Sequence, residues 1–445
     1  MTDDAHGDTS DGRSLAGAPL AAETDARAGE ESRLKAGCSQ DWLPHKESWV
    51  ESANDPASDF PIENLPFAMF ERDGSARLGV GIGDQILDAT AAFGIGCMKD
   101  VMAMRRPSRA ELRSRIGALL AENTAGAESL LTPMAGARLL LPCEIGDYSD
   151  FYASIHHATN AGKMFRPDNP LLPNYKWLPV GYHGRASSIV VSGMPVRRPL
   201  GQTVENPAGP PSFGLSRRMD YEVELGAFLG PGNVMGEAIP ASEACDHLFG
   251  VCLLNDWSAR DIQSWEYQPL GPFLAKSFAT SISPWVVTME ALEPFRCAAE
   301  ARPEGDPQPL PYLQTGGNDA LGITLEVWLG TARSEPVRIS RSNFARMYWT
   351  LPQMVAHHAS NGCPLKPGDL IGSGTVSGPE KENRGCLLEL TWRGTEPLQL
   401  PSGETRRFLE DGDEVILRGY CEAPGLRRIG FGECRGTVTA GRGSV

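Results

Sequence analysis

From about residue 140 onward the chain alternates short apolar runs with Gly- and Pro-rich breaks, a pattern that predicts mostly β-structure. VEL (223–225), GVCLLND (250–256), GITLEVWL (322–329), CLLELTW (386–392) and DEVILRGYC (413–421) all carry strand-like composition. SNFARMYWTLPQMVAHHASNG (342–362) predicts a helix that ends at Gly362. Its His357–His358 pair, at the helix end, suits the helix dipole and packing. Upstream, DFPIENLPFAMFERDGSARLGVGIGDQILD (59–88) is cut by DG and GD turns and predicts a small β unit. No Rossmann helix follows GVGIG (79–83) in register, so that stretch reads as a turn cluster. A helical pattern covers 99–122. DYSDFYASIHHATNAGKMFR (147–166) predicts a second helix, capped by Asp147 or Ser149 and stopped at Gly162. On such a helix Asp150 and His157 share a face about 10 Å apart along the axis, and His156 turns about 120° away. That geometry favours His157 as the chemical group. A helix with capping Asp and packed His accounts for the segment equally well.

Residues 1–45 break the pattern. They are rich in Ala, Gly, Ser, Asp and Glu and nearly free of large apolar groups, so they are expected to be a disordered acidic tail. Residues 1–60 hold 13 acids and 5 bases, a net of −8, about half of the chain's formal −15. The acidity argues against nucleic acid or an anionic membrane surface as partner, and against a transit peptide. No apolar run approaches membrane-spanning length, so no membrane is expected. The ten cysteines are scattered without a C-x-x-C pair. This disfavours zinc-ribbon and thioredoxin chemistry and, with no secretory apolar region, points to reduced thiols in the cytoplasm. At 445 residues and 41% apolar content, the chain suits two or three globular units. Deleting residues 1–45 should leave the melting temperature and turnover nearly unchanged. Thermal denaturation and a steady-state assay of the truncated chain check this, and a deletion that unfolds or inactivates the protein rejects it.

The candidate chemistry lies in the acids. In MDYEVELGAFLG (219–230), alternation puts Tyr221, Val223 and Leu225 on one face and Glu222 and Glu224 on the other. Two such carboxylates repel unless solvated or bridged by a cation; taken alone, the pair reads as a solvated edge. Asp256 closes the apolar run GVCLLN, a frequent site position. If Asp150, Glu222, Glu224 and Asp256 converge, they form an all-oxygen anionic cage suited to Mg²⁺ or Ca²⁺. Spread over 106 positions, they leave that convergence open. Arg166, Tyr182, Arg260, Gln263, Tyr267 and Lys276 are groups that could hold a small dianionic substrate, with ordinary surface polarity as the alternative. The absence of G-x-S-x-G, H-E-x-x-H, P-loop and EF-hand motifs weakens serine-hydrolase, zincin and nucleotide chemistries.

From about Asp59 to Thr437 the chain resembles the fumarylacetoacetase family. The likeness rests on IGDYSDFYASIHHATNAGKMFR, LLPNYKWLPVGYHGRASSIVVSG, DYEVELGAF, NDWSARDIQSWEYQPLGPFLAKSFATSISPWVV and GSGTVSGPEKENRGCLLELTW. It implies a mainly β chain with some α: a small SH3-like β-barrel domain (46–140), then a mixed β-roll catalytic domain (141–445), in a homodimer. It implies hydrolysis of a carbon–carbon bond in a dicarboxylate diketone. The implied metal ligands are Asp150, Glu222, Glu224 and Asp256 for Mg²⁺ or Ca²⁺, with Lys276 and Thr280 beside them. His157 falls on the family's water-activating base and Glu389 on the Glu that orients it. Substrate contacts fall on Tyr152, Arg166, Tyr182, Gln263, Tyr267 and Thr375, and Arg260 joins Lys276 and His157 among the catalytic candidates. Other readings are an acylpyruvate hydrolase, a dienoate isomerase/decarboxylase, or a catalytically silent metal-binding protein. The His157–Glu389 pair and the N-terminal domain count against the first two, and the intact base, metal cage and substrate set against the third.

Overall fold

Asp73 and Gly74 both take positive φ (52° and 72°), the paired conformation that an Asp-Gly hairpin turn requires. The turn closes β1 (Phe67–Arg72) onto β2 (Ser75–Ile82), and β3 (Gln85–Asp88) follows. This is a computed structural model, and it describes residues 47–206 and 208–443; the expectation for residues 1–45 lies outside them. Helix α1 (Arg106–Ala121) comes next, then β4 (Leu131–Pro133) and β5 (Leu139–Leu140), which complete an antiparallel sheet in the order β4-β3-β2-β1-β5.

The central sheet begins at β6 (Tyr148–Phe151), which α2 (Ile155–Phe165) follows. It gathers β7 (Gly181–His183), β8 (Ile189–Val191), β9 (Val223–Leu229) and β10 (Leu248–Asp256). After α3 (Arg260–Glu266) comes β11 (Thr280–Ile282). The chain then leaves through β12 (Ile323–Thr331), β13 (Ser334–Asn343) and α4 (Leu351–Ala359), and returns as β14 (Leu370–Gly372). The order is β7-β6-β14-β9-β10-β11-β8, with β6–β14 and β8–β11 parallel and the rest antiparallel. A short helix α5 (Leu387–Leu390) precedes β15 (Glu414–Cys421) and β16 (Ile429–Thr439), which join β12 and β13 in a third sheet in the order β13-β12-β15-β16.

Both faces of the central sheet are covered. Val251 and Leu253 point into a core shared with Leu325, Val327 and Leu417 of the third sheet. Cys252 and Leu254 point the other way, into a core shared with Val80 and Ile82 of β2 and with Leu112 and Ile116 of α1. Two-sided burial explains why GVCLLN reads as an unbroken apolar run. Arg109 of α1 and Glu290, both buried and 2.9 Å apart, pin the helix to that layer.

Several elements differ from the sequence pattern. The helix expected over 147–162 is a strand, β6, followed by α2, and its cap is Ser154, which accepts from the His157 amide. Pairing with β14 and β7 overrides local helical periodicity here. Gly162 lies inside α2, not at its end: a Cβ there would sit 2.0 Å from the Pro170 carbonyl oxygen. CLLELTW is helical at α5, because the Asp220 carboxylate accepts the Leu387 and Leu388 amides (2.8 and 2.9 Å) at its start. The helix expected over 342–362 is α4 alone, opened by a Thr350–Gln353 capping box. The pattern over 99–122 splits into Met98–Met102 and α1, whose first turn contains Pro107.

Candidate active site

Three strands of the central sheet deliver the acids: β9 and β10 are paired, and β14 lies between β9 and β6. Asp150 lies on β6, in parallel register with Gly372 of β14. A Cβ on residue 372 would lie 2.4 Å from Asp150 Oδ1, so a glycine is needed for the carboxyl to fit. Glu224 leaves β9, and its Oε2 accepts the Gly374 amide at 3.0 Å. Asp256 ends β10 opposite Thr280, with both residues buried. The carboxylate oxygens of Asp150, Glu224 and Asp256 come within 4.8 Å of one another. Asp150 Oδ1 and Glu224 Oε1 are buried and accept no hydrogen bond among the described residues. Burial, then repulsion from neighbouring acids, raises both pKa values well above the usual carboxylate range. Three converging buried carboxylates with orphaned oxygens fit a hard divalent cation and form a candidate metal-binding group.

Glu222 stands beside that trio. Its carboxylate takes the Lys276 ammonium, which also bridges to Asp256, and the Arg260 guanidinium at 2.8 Å. Burial alone would raise its pKa, but Lys276, Arg260 and His157 outweigh it and the net shift is downward. Arg260 is aimed by Asp220 (Nε, 2.8 Å) and donates to Gln263 Oε1 at 3.0 Å.

His157 faces this cluster from α2. Its Nδ1 lies 2.6 Å from Glu389 Oε2, so Nδ1–H donates to the carboxylate; its Nε2 lies 3.7 Å from Glu222 Oε1. Both side chains are buried. Burial pushes the Glu389 pKa up, but His157 and the hydrogen bonds from His157, Asn160 and Ser377 bring it down to about 2. His156 projects elsewhere, 4.0 Å from Glu300. His157, Cys386 and Glu389 also bring possible ligand atoms together. Burial raises the Cys386 thiol well above its usual range, which leaves it a protonated donor to Glu389.

The remaining candidates ring the same region. Tyr152 sets its ring edge-on to His157, with centroids 5.2 Å apart. The Tyr182 hydroxyl donates to Asp256 at 3.1 Å. Tyr182, Asp256, Lys276 and Thr280 line one cleft. Arg166 caps the end of α2, beside Phe165, whose ring lies 6.5 Å from that of Tyr267. Thr375 Oγ1 and Arg166 Nε are buried without partners among the described residues. No direct contact joins Arg166, Tyr267 or Thr375 to the carboxylate trio among the described hydrogen bonds and ion pairs. Sequence reasoning missed Asp220, Asn160 and Ser377. Only Asn160 left a trace, one helical turn after His157.

The model described as fumarylacetoacetate hydrolase C-terminal matches residues 148–439, and that described as fumarylacetoacetase N-terminal matches 63–142. The chain belongs to the fumarylacetoacetase family. Fumarylacetoacetase from Bos taurus is 50% identical over 417 residues, covering 88% of this chain and 98% of that protein. The Homo sapiens enzyme of the same name is 49% identical with the same coverage, and that of Oryza sativa is 47% identical over 421 residues, 88% and 96% of the two chains. The fold is similar to the solved fumarylacetoacetate hydrolase of Exiguobacterium antarcticum, with a TM-score of 0.50 at 18% identity, over 84% of this chain and 99% of that one.

Proposed function

We propose that this chain hydrolyses the carbon–carbon bond of fumarylacetoacetate to give fumarate and acetoacetate, the last step of tyrosine and phenylalanine degradation. The observation that carries the proposal is the buried His157–Glu389 pair standing beside the carboxylate trio, in a chain half identical to fumarylacetoacetases. Glu389, ionised down to about pH 2, holds Nδ1–H and leaves Nε2 free to take a proton from water. The water oxygen bonds to the fumaryl carbonyl carbon, and the bond to the acetoacetate carbon breaks. The electron pair leaves with that carbon, which then takes a proton, with His157 positioned to return it. Asp150, Glu224 and Asp256, with Glu222 beside them, would hold a divalent cation, which would supply Lewis-acid polarisation of a ketone oxygen. Lys276, Arg260 and Gln263 fix positive potential and donors around the developing enolate. Arg166, Tyr152, Tyr182, Tyr267 and Thr375 would hold the substrate's carboxylates and oxygens, and Thr280 would support the cation site.

The all-oxygen donor set favours Mg²⁺ or Ca²⁺. The gap between the two matched family regions supports a division near residue 140, with the five-stranded sheet read as the SH3-like unit and the central and third sheets as the β-roll. Exposed Phe213, Trp265, Leu270 and Phe273 offer apolar surface for a homodimer. Free cysteines, and no described helix long and apolar enough to cross a membrane, suit a cytoplasmic enzyme. The test is to incubate the purified protein and Mg²⁺ with fumarylacetoacetate, an acylpyruvate and a dienoate, and to quantify products chromatographically. Stoichiometric fumarate and acetoacetate are expected. Faster turnover of either alternative, or none of any, rejects the proposal.

A further inference from the structure

The Glu389 carboxylate is held on both oxygens. Oε2 accepts His157 Nδ1–H at 2.6 Å and the Ser377 hydroxyl at 2.8 Å, with the Cys386 thiol at 3.3 Å. Oε1 accepts from Asn160 Nδ2 at 2.8 Å, and among the described residues no other donor reaches that oxygen. An ionised carboxylate has no proton to give, so the amide must present its NH₂ group. Asn160 follows His157 by three residues on α2, so both side chains leave one face of the same helix. The helix thus grips both ends of the group that orients its own histidine. Without Asn160 the carboxylate can swing about its terminal bond while keeping Ser377, and the acceptor for Nδ1–H moves with it. We infer that Asn160 is a positioning residue for His157, acting through Glu389. This rests on the proposed role of the His157–Glu389 pair.

The test measures kcat and KM for fumarylacetoacetate with saturating Mg²⁺ in Asn160→Leu, Asn160→Asp, Glu389→Gln and the Asn160→Leu/Glu389→Gln double variant. Losing one hydrogen bond to a charged group should lower kcat of Asn160→Leu roughly 10- to 100-fold, with KM within about threefold of wild type. In the Glu389→Gln background the same substitution should cost little more, because the route through Glu389 is already broken. Asn160→Asp keeps the shape but sets a second carboxyl against Glu389, which either repels it or shares one proton with it, and kcat should fall at least as far; it decides the matter if Asn160→Leu does not fold. Equal losses in both backgrounds, or a rise in KM at unchanged kcat, overturn the inference as a merely structural or binding effect. Impaired Glu389→Gln beside normal Asn160 variants overturns this inference alone. Normal turnover in Glu389→Gln overturns the pair's proposed role and this inference with it.

Discussion

His157→Ala should lose roughly 10²- to 10⁴-fold in turnover, the usual contribution of a positioned general base. The side chain is buried, donates to Glu389 at 2.6 Å and turns its other nitrogen toward the carboxylate cluster. His156→Ala should do far less, because that ring points to Glu300 at 4.0 Å and away from the acids. Glu389→Gln should fall between the two: it keeps the imidazole but weakens the charged acceptor that orients it. Steady-state kinetics of the three purified variants check the set. Near-normal turnover in His157→Ala, with His156→Ala inactive, would sink the assignment.

Stripping divalent cations should lower activity by roughly 10²-fold or more, with recovery on adding Mg²⁺ or Ca²⁺. Asp150 and Glu224 each keep a buried oxygen without a hydrogen bond among the described residues, and repulsion with Asp256 adds to the burial cost. A cation at a hundred times its Kd would contribute about 2.7 kcal/mol to stability. The pH dependence follows from the raised carboxyl pKa values. In the metal-free fold Asp150 and Glu224 prefer to stay protonated, so their contribution to stability declines as pH rises from the unfolded pKa toward the raised folded one. The melting-temperature gap between Mg²⁺-loaded and metal-free protein should therefore widen from mildly acidic to neutral pH. Full activity in rigorously metal-free protein, or a gap that narrows over that range, contradicts the metal reading.

How much of this was legible beforehand depends on how far along the chain each determinant reaches. The β-rich class came from period-two runs and turn residues, which depend on neighbours a few positions away; β9, β10, β12 and β15 all overlap the runs that predicted them. Long motifs carried the family. His157 rather than His156 faces the acid cluster, but not through the geometry that favoured it. Asp150 and His157 share no helix face: the first lies on β6 and the second on α2, with the helix cap at Ser154 between them. CLLELTW was misread because its helix is started by Asp220, 167 positions away from Leu387, and no local pattern records such a cap. The tertiary structure alone decided which acids meet. Sheet order sets Asp150, Glu224 and Asp256 on nearby strands, and Lys276 and Arg260 hold Glu222 beside them. Periodicity decides which face of an element a side chain occupies. Which faces then meet is decided by strand pairing between distant segments, and that is where this site is made.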